Sequence, residues 1–154
     1  MKSMTEAEVM KIFNSYKQQL IKQLGTQVTD NTQLDRVAYK LLGTRFKGTY
    51  SVDTVPIQKS GMFIVNTDLS TGPGVHWVSV FSTAKNVYVF DSFGRKASKL
   101  LKPLVKNAKI YDKKIINSDT SDKEQRVDQF TCGPISLAWL LTVKELSIKN
   151  AIKI

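Results

Sequence analysis

The stretch that decides the fold is Asp128–Leu141, "DQFTCGPISLAWLL", which holds the chain's one cysteine, Cys132. A glycine and a proline follow it, then an apolar run. Pro134 suits the first turn of a helix, where its missing N–H costs nothing. Leu137, Leu140, Leu141 and Val143 continue as a helix apolar on nearly all sides, so it belongs inside the protein. The sequence therefore predicts a buried helix that begins at a thiol. A helix start is the positive end of the helix dipole, and it favours the thiolate. Gly133 lets backbone and substrate approach closely.

The chain has 154 residues, enough for one domain with a real core, and 42% of them are hydrophobic. A single cysteine excludes an intramolecular disulfide and any multi-thiolate metal site, so no metal is expected. No apolar run approaches the roughly 20 residues that span a bilayer, and no membrane contact is expected. The charged, periodic start "MKSMTEAEVMKIFNSY" does not read as a signal peptide. The net charge is +10. It divides into +3 up to Gly94 and +7 beyond, and Arg95–Lys114 carries eight Lys/Arg against Asp112 alone. Arg95, Lys96, Lys99, Lys102 and Lys106 are the candidate contacts to a polyanion, nucleic acid being the commonest. The plainer alternative is a solvated lysine-rich surface.

Working outward, residues 3–24 read as a helix. Ser3 and Thr5 each have Glu three positions on; Val9, Ile12, Phe13, Tyr16, Leu20 and Leu24 share a face; Gly25 is the stop. A second helix is expected over about 32–42, closed by Gly43. "GTRFKGTYSVDTVP" reads as irregular. "GMFIVNT", "HWVSVF" and "VYVFD" read as strands, the last two joined as a hairpin. "ASKLLKPLVKNA" has helical spacing that Pro103 interrupts. "KIYDKKIIN" predicts one or two edge strands, and "SDTSDKEQRVDQ" a loop. Two helices, a strand-rich centre and a buried helix make the class α+β.

The one histidine, His76, opens the strand "HWVSVF", and Asp91 ends "VYVFD". If those strands pair as a hairpin, the two side chains lie at the same end of the sheet. A carboxylate there can hold an imidazole in one tautomer, and the imidazole can serve a thiol. Taken singly, each residue also has an ordinary explanation: a small buried thiol, a half-buried histidine and a turn-forming aspartate.

As an ordered set, "IVNTDLSTGPGVHWVSVF", "VYVFDSFG" and "QRVDQFTCGPISLAWLL" resemble the adenain-like cysteine proteases. These are the adenovirus maturation protease and relatives in double-stranded DNA viruses and virophages, in the same clan as the SUMO-specific proteases. The resemblance spans about Leu41–Leu141 and implies a papain-like, adenain-like fold with a central mixed sheet. It implies Cys132 as nucleophile, His76 as general base and Asp91 as orienting carboxylate. Gln125, seven residues before Cys132, matches the family's oxyanion glutamine better than Gln129 does. Gly133 and Trp77 are implied as supports, Trp77 packing against the catalytic helix. The implied reaction is peptide hydrolysis through a thioester. The implied substrates are capsid and core precursors, often cut after a small residue. The implied setting is the virion and the infected cell, with the protein a monomer and no cofactor. DNA or a non-covalent viral peptide is the implied activator; a disulfide-tethered peptide is excluded, because there is no second cysteine.

Three alternatives stand beside that expectation. One is a protease for a ubiquitin-like modifier, and one an acyltransferase with the same triad. The last is a catalytically idle, basic DNA-binding virion protein.

Overall fold

The structure, a computed structural model, describes residues 3–25, 30–72, 76–118 and 131–154. Helix α1 is Glu6–Leu24 and α2 is Asn31–Leu42. Strand β1 is Phe46–Ser51, β2 Gly61–Asn66, β3 Trp77–Ser82 and β4 Asn86–Phe90. Helix α3 (Ala97–Leu100) and α4 (Lys102–Ile110) precede β5 (Lys114–Asn117), and α5 (Cys132–Leu146) and α6 (Ile148–Ala151) follow. The class is α+β with a five-stranded mixed sheet in the order β1-β2-β3-β4-β5. The outer pairs β1–β2 and β4–β5 are parallel, and the inner pairs are antiparallel.

Both long N-terminal helices start at capping boxes. Thr5 and Glu8 exchange bonds of 3.2 and 3.0 Å, and Asp30 and Gln33 bonds of 2.8 and 3.1 Å. Each satisfies backbone donors that a helix start leaves open. The first helix thus begins after Thr5 rather than at Ser3. Gly25 (φ 86°) and Gly43 (φ 63°) end the two helices in the left-handed region, as the sequence predicted.

The strands sort their side chains by the period of two. Met62 and Ile64 of β2 and Phe90 of β4 join a core with Val9 and Phe13 of α1, Leu34 of α2 and Trp139 of α5. Phe63, Val65, Val78, Val80, Val87 and Val89 face the other way, against Ala97, Leu104 and Ala108. The sheet is therefore covered on both faces: α1, α2, α5 and α6 on one, α3 and α4 on the other. Helix α5 is sandwiched between α1 and the sheet. That position explains its unbroken apolar sequence.

Three local expectations change. The stretch read as irregular contains β1, whose alternation is hidden by Gly48 (φ 117°). The register shifts between Phe46 and Thr49, as at a β-bulge. The segment after Asp91 forms two short helices with Pro103 in the first turn of α4, so Lys99 lies on one helix and Lys102 and Lys106 on the next. Of "KIYDKKIIN", only Lys114–Asn117 is a strand, at the sheet edge; Lys109 and Ile110 end α4. At the sheet end opposite the start of β3, buried Lys113 donates through Nζ to the Ile57 carbonyl (2.7 Å) and Ser82 Oγ (2.9 Å). Among the described residues no helix is long and apolar enough to cross a membrane.

Candidate active site

The hairpin of β3 and β4 puts His76, the residue before β3, and Asp91, the residue after β4, at one end of the sheet. The hydrogen bond from Thr67 N–H to the His76 carbonyl (2.8 Å) continues the β2–β3 pairing by one step and pins the histidine backbone. Helix α5 brings Cys132 to the same place. Two buried serines fasten its first turns to β3. Ser79 Oγ donates to the Ser136 carbonyl at 2.6 Å, and Ser136 Oγ donates to the Trp77 carbonyl at 3.1 Å. Strand and helix are thereby held so that the thiol meets the imidazole.

His76 Nε2 lies 2.5 Å from Asp91 Oδ1. Both side chains are withdrawn from solvent, at 5% and 2% exposure for the residues. With Nε2 committed to the carboxylate, Nδ1 is left for the sulfur, and the ionisation of Cys132 and that of His76 are coupled. The backbones of Trp77 and Gly133 lie beside the sulfur and favour its ionised form. Thr131, the residue before α5, makes no side-chain cap, and Pro134 has no N–H, so the first turn offers the N–H groups of Cys132 and Gly133.

The electrostatics follow from these contacts. Burial pushes the Cys132 thiol up, but the bond to His76 and the Trp77 and Gly133 N–H groups outweigh it and hold the thiol below its ordinary value. Burial pulls His76 down, and its bonds to Asp91 and Cys132 outweigh that, so its pKa is raised. Burial pushes Asp91 up, and hydrogen bonds from His76 and Arg95 reverse that too, leaving it below the usual carboxylate range. All three shifts favour one charge distribution: thiolate, imidazolium, carboxylate.

No protein-family model matches this chain, and no curated protein matches it. Among solved structures, the chain is similar to an AvrA deletion variant with IP6 and CoA. The identity is 17%, the match covers 93% of this chain and 61% of that one, and the TM-score is 0.45. The chain thus spans about three fifths of that protein's length.

Cys132, His76 and Asp91 come together from three separate elements, and Gly133 and Trp77 touch the sulfur through their backbones. The Trp77 ring packs against the α1/α2/α5 core. Gln125, Asp128 and Gln129 lie outside the described residues. Lys96, Lys99, Lys102 and Lys106 are exposed. Arg95, grouped with them on sequence, is instead engaged at the site: its backbone N–H and its Nε each donate to Asp91 Oδ2 at 2.9 Å. Reading Arg95 by charge alone missed this. The available signal was "DSFGR", an Asp followed by a turn with glycine, which brings the fifth residue back onto the first. Gly94 has φ 73°, and its N–H bonds the Asp91 carbonyl at 2.9 Å. Ser79 and Ser136 were missed as well, although each is a hydroxyl inside an apolar run. Among the described residues no group of three or more His, Cys, Asp or Glu could hold a metal.

Proposed function

We propose that the protein is a cysteine-nucleophile enzyme of the papain-like clan, working by acyl transfer through a thioester on Cys132. The observation that carries this is the buried His76–Asp91 hydrogen bond at the start of a buried helix, with the Cys132 thiol electrostatically coupled to the same imidazole. A thiolate there attacks a carbonyl carbon, and the resulting oxyanion sits beside the helix start, where the Cys132 N–H is placed to receive it. The C–N bond breaks as the His76 imidazolium passes its proton to the leaving amine. The thioester is then resolved by a second nucleophile, whose proton returns to His76.

Within that chemistry, our main reading is peptide hydrolysis, with water as the second nucleophile. It rests on the His-Trp, Asp-Ser-Phe-Gly and Cys-Gly motifs. Capsid and core precursors as substrates, a virion setting, and activation by DNA or a viral peptide are the finer form of that reading. The competing reading is an acyltransferase, in which a protein hydroxyl or amine replaces water. A thiolate exchanges acyl groups with another thioester as readily as it takes one from an amide, so the same triad serves both.

The test is intact-protein mass spectrometry after exposure to three thiol-directed probes: two Michael acceptors, a peptide vinyl sulfone and a ubiquitin-like modifier carrying the same warhead, and one acyl donor, an acyl-CoA thioester. Capture of the peptide probe on Cys132, abolished in Cys132→Ala and slowed in His76→Ala, supports the peptidase. Acylation from CoA followed by transfer to an added protein supports the acyltransferase. A folded wild-type protein that none of the three modifies contradicts both.

A further inference from the structure

The Asp91–Arg95 loop folds back on itself. Gly94 turns the chain in the left-handed region, and the Arg95 N–H and Nε then converge on the same oxygen, Asp91 Oδ2. Oδ1 is left for His76. The Arg95 guanidinium also sits over the Phe93 ring, 4.9 Å from its centroid, and the Phe93 ring lies 4.9 Å from the His76 ring at a tilt of 31°. Phe93 thus touches both the imidazole and the guanidinium, and the guanidinium reaches back to the carboxylate. We propose that Arg95 is a positioning residue of the active site, fixing which oxygen Asp91 presents to His76 and holding Phe93 against the imidazole. This rests on the acyl-transfer reading of the triad and adds the group that sets its geometry.

The physical case has two parts. A buried carboxylate with one oxygen unpaired would be costly and free to rotate. Arg95 occupies that second oxygen with two donors, one of them charged. An imidazole with one edge bonded still rocks about that bond, and a ring packed on its face restrains it. The Arg95 side chain is 43% exposed, so its commitment to Asp91 is not forced by burial of the arginine itself. The largest influences from charged and titratable groups are mutual ones among Cys132, His76 and Asp91, with Arg95 acting on Asp91. Removing Arg95 acts on the thiolate through the carboxylate: Asp91 is free to turn, and the imidazole that receives the thiol proton is held less well.

One cysteine and one histidine make the test direct. Iodoacetamide labelling of Cys132 is followed against pH in wild type, Arg95→Met and Arg95→Lys. The acid limb of the Arg95→Met profile should move alkaline by about half a unit or more, with labelling at pH 6 slower by roughly threefold or more. Arg95→Lys should recover part of the loss, since an ammonium restores the charge but not the planar fork. A purely structural role would lower the yield of folded protein without moving the limb. If wild type labels rapidly and Arg95→Met follows the same curve, the Arg95 inference is wrong and the triad stands. If wild type labels no faster than a cysteine peptide, the triad reading fails and takes this inference with it. Should Arg95→Met not fold, Phe93→Leu removes the ring that contacts both guanidinium and imidazole, and the same limb must move in the same direction or the inference falls.

Discussion

Replacing Asp91 by Asn changes the side chain by one atom and should remove most of the reactive thiolate at pH 6. The reason lies in the donors around that side chain. Oδ2 accepts from both the N–H and Nε of Arg95, and Oδ1 accepts from His76 Nε2. An asparagine has one oxygen to offer. Two donors on the Arg95 side outbid one on the His76 side, so the amide oxygen turns to Arg95 and the NH₂ faces Nε2. Nε2 must then accept, which puts the imidazole proton on Nδ1, against the sulfur. The neutral ring can no longer take the thiol proton, and the imidazolium meets an opposed donor. An ordinary cysteine is about 0.3% ionised at pH 6, so losing a fully formed ion pair sets a ceiling of about 300-fold on the loss of thiolate. A stabilised thiolate is a weaker nucleophile, which brings the expected fall in alkylation rate to on the order of tenfold. Turnover, which needs the base again in the second half of the reaction, should fall by about 10²–10⁴-fold. The assay is iodoacetamide labelling read by intact mass, with folding checked by circular dichroism. A folded Asp91→Asn protein that labels within twofold of wild type at pH 6 would refute the reasoning.

Ser136→Ala removes one of the two bonds that seat α5 on β3, so it should cost about 1 kcal/mol in urea unfolding and slow Cys132 labelling; unchanged labelling would mean that the serines do not set the thiol's position. Gly94→Ala forces a Cβ into φ 73° and should destabilise by about 1–2 kcal/mol, while loosening the Arg95 N–H from Asp91. Stability should also depend on pH through Asp91, whose folded pKa lies below its unfolded value. Its contribution is full above that unfolded value, about 3.9, and fades as pH falls through the folded one. The stability gap between wild type and Asp91→Asn, measured by urea titration, should therefore narrow at low pH, and a gap constant down to pH 2 would contradict the assignment.

Much of this was legible because the sequence changes period where the structure changes element. The apolar faces of α1 and α2, the β3–β4 hairpin and the buried α5 all follow from spacing and turn residues, and His76 and Asp91 meet because a hairpin returns its ends to one place. Strand β1 was hidden because Gly48 and the bulge beside it break the alternation that marks a strand. Arg95 was hidden for another reason. Its charge matched the lysine-rich run after it, while its structural role depends on a glycine turn that one-dimensional charge counting ignores. Ser79 and Ser136 work as a pair 57 residues apart, a separation at which no local pattern signals a contact.

The most direct test is to titrate the ring of His76 by NMR in the wild-type protein and in Cys132→Ala. The chain's single histidine makes the signal unambiguous. His76 should keep its proton above the ordinary histidine range when the sulfur is present, and its pKa should drop when the sulfur is removed. Identical titrations in the two proteins would show that sulfur and imidazole do not share a charge, and would contradict the account at its centre.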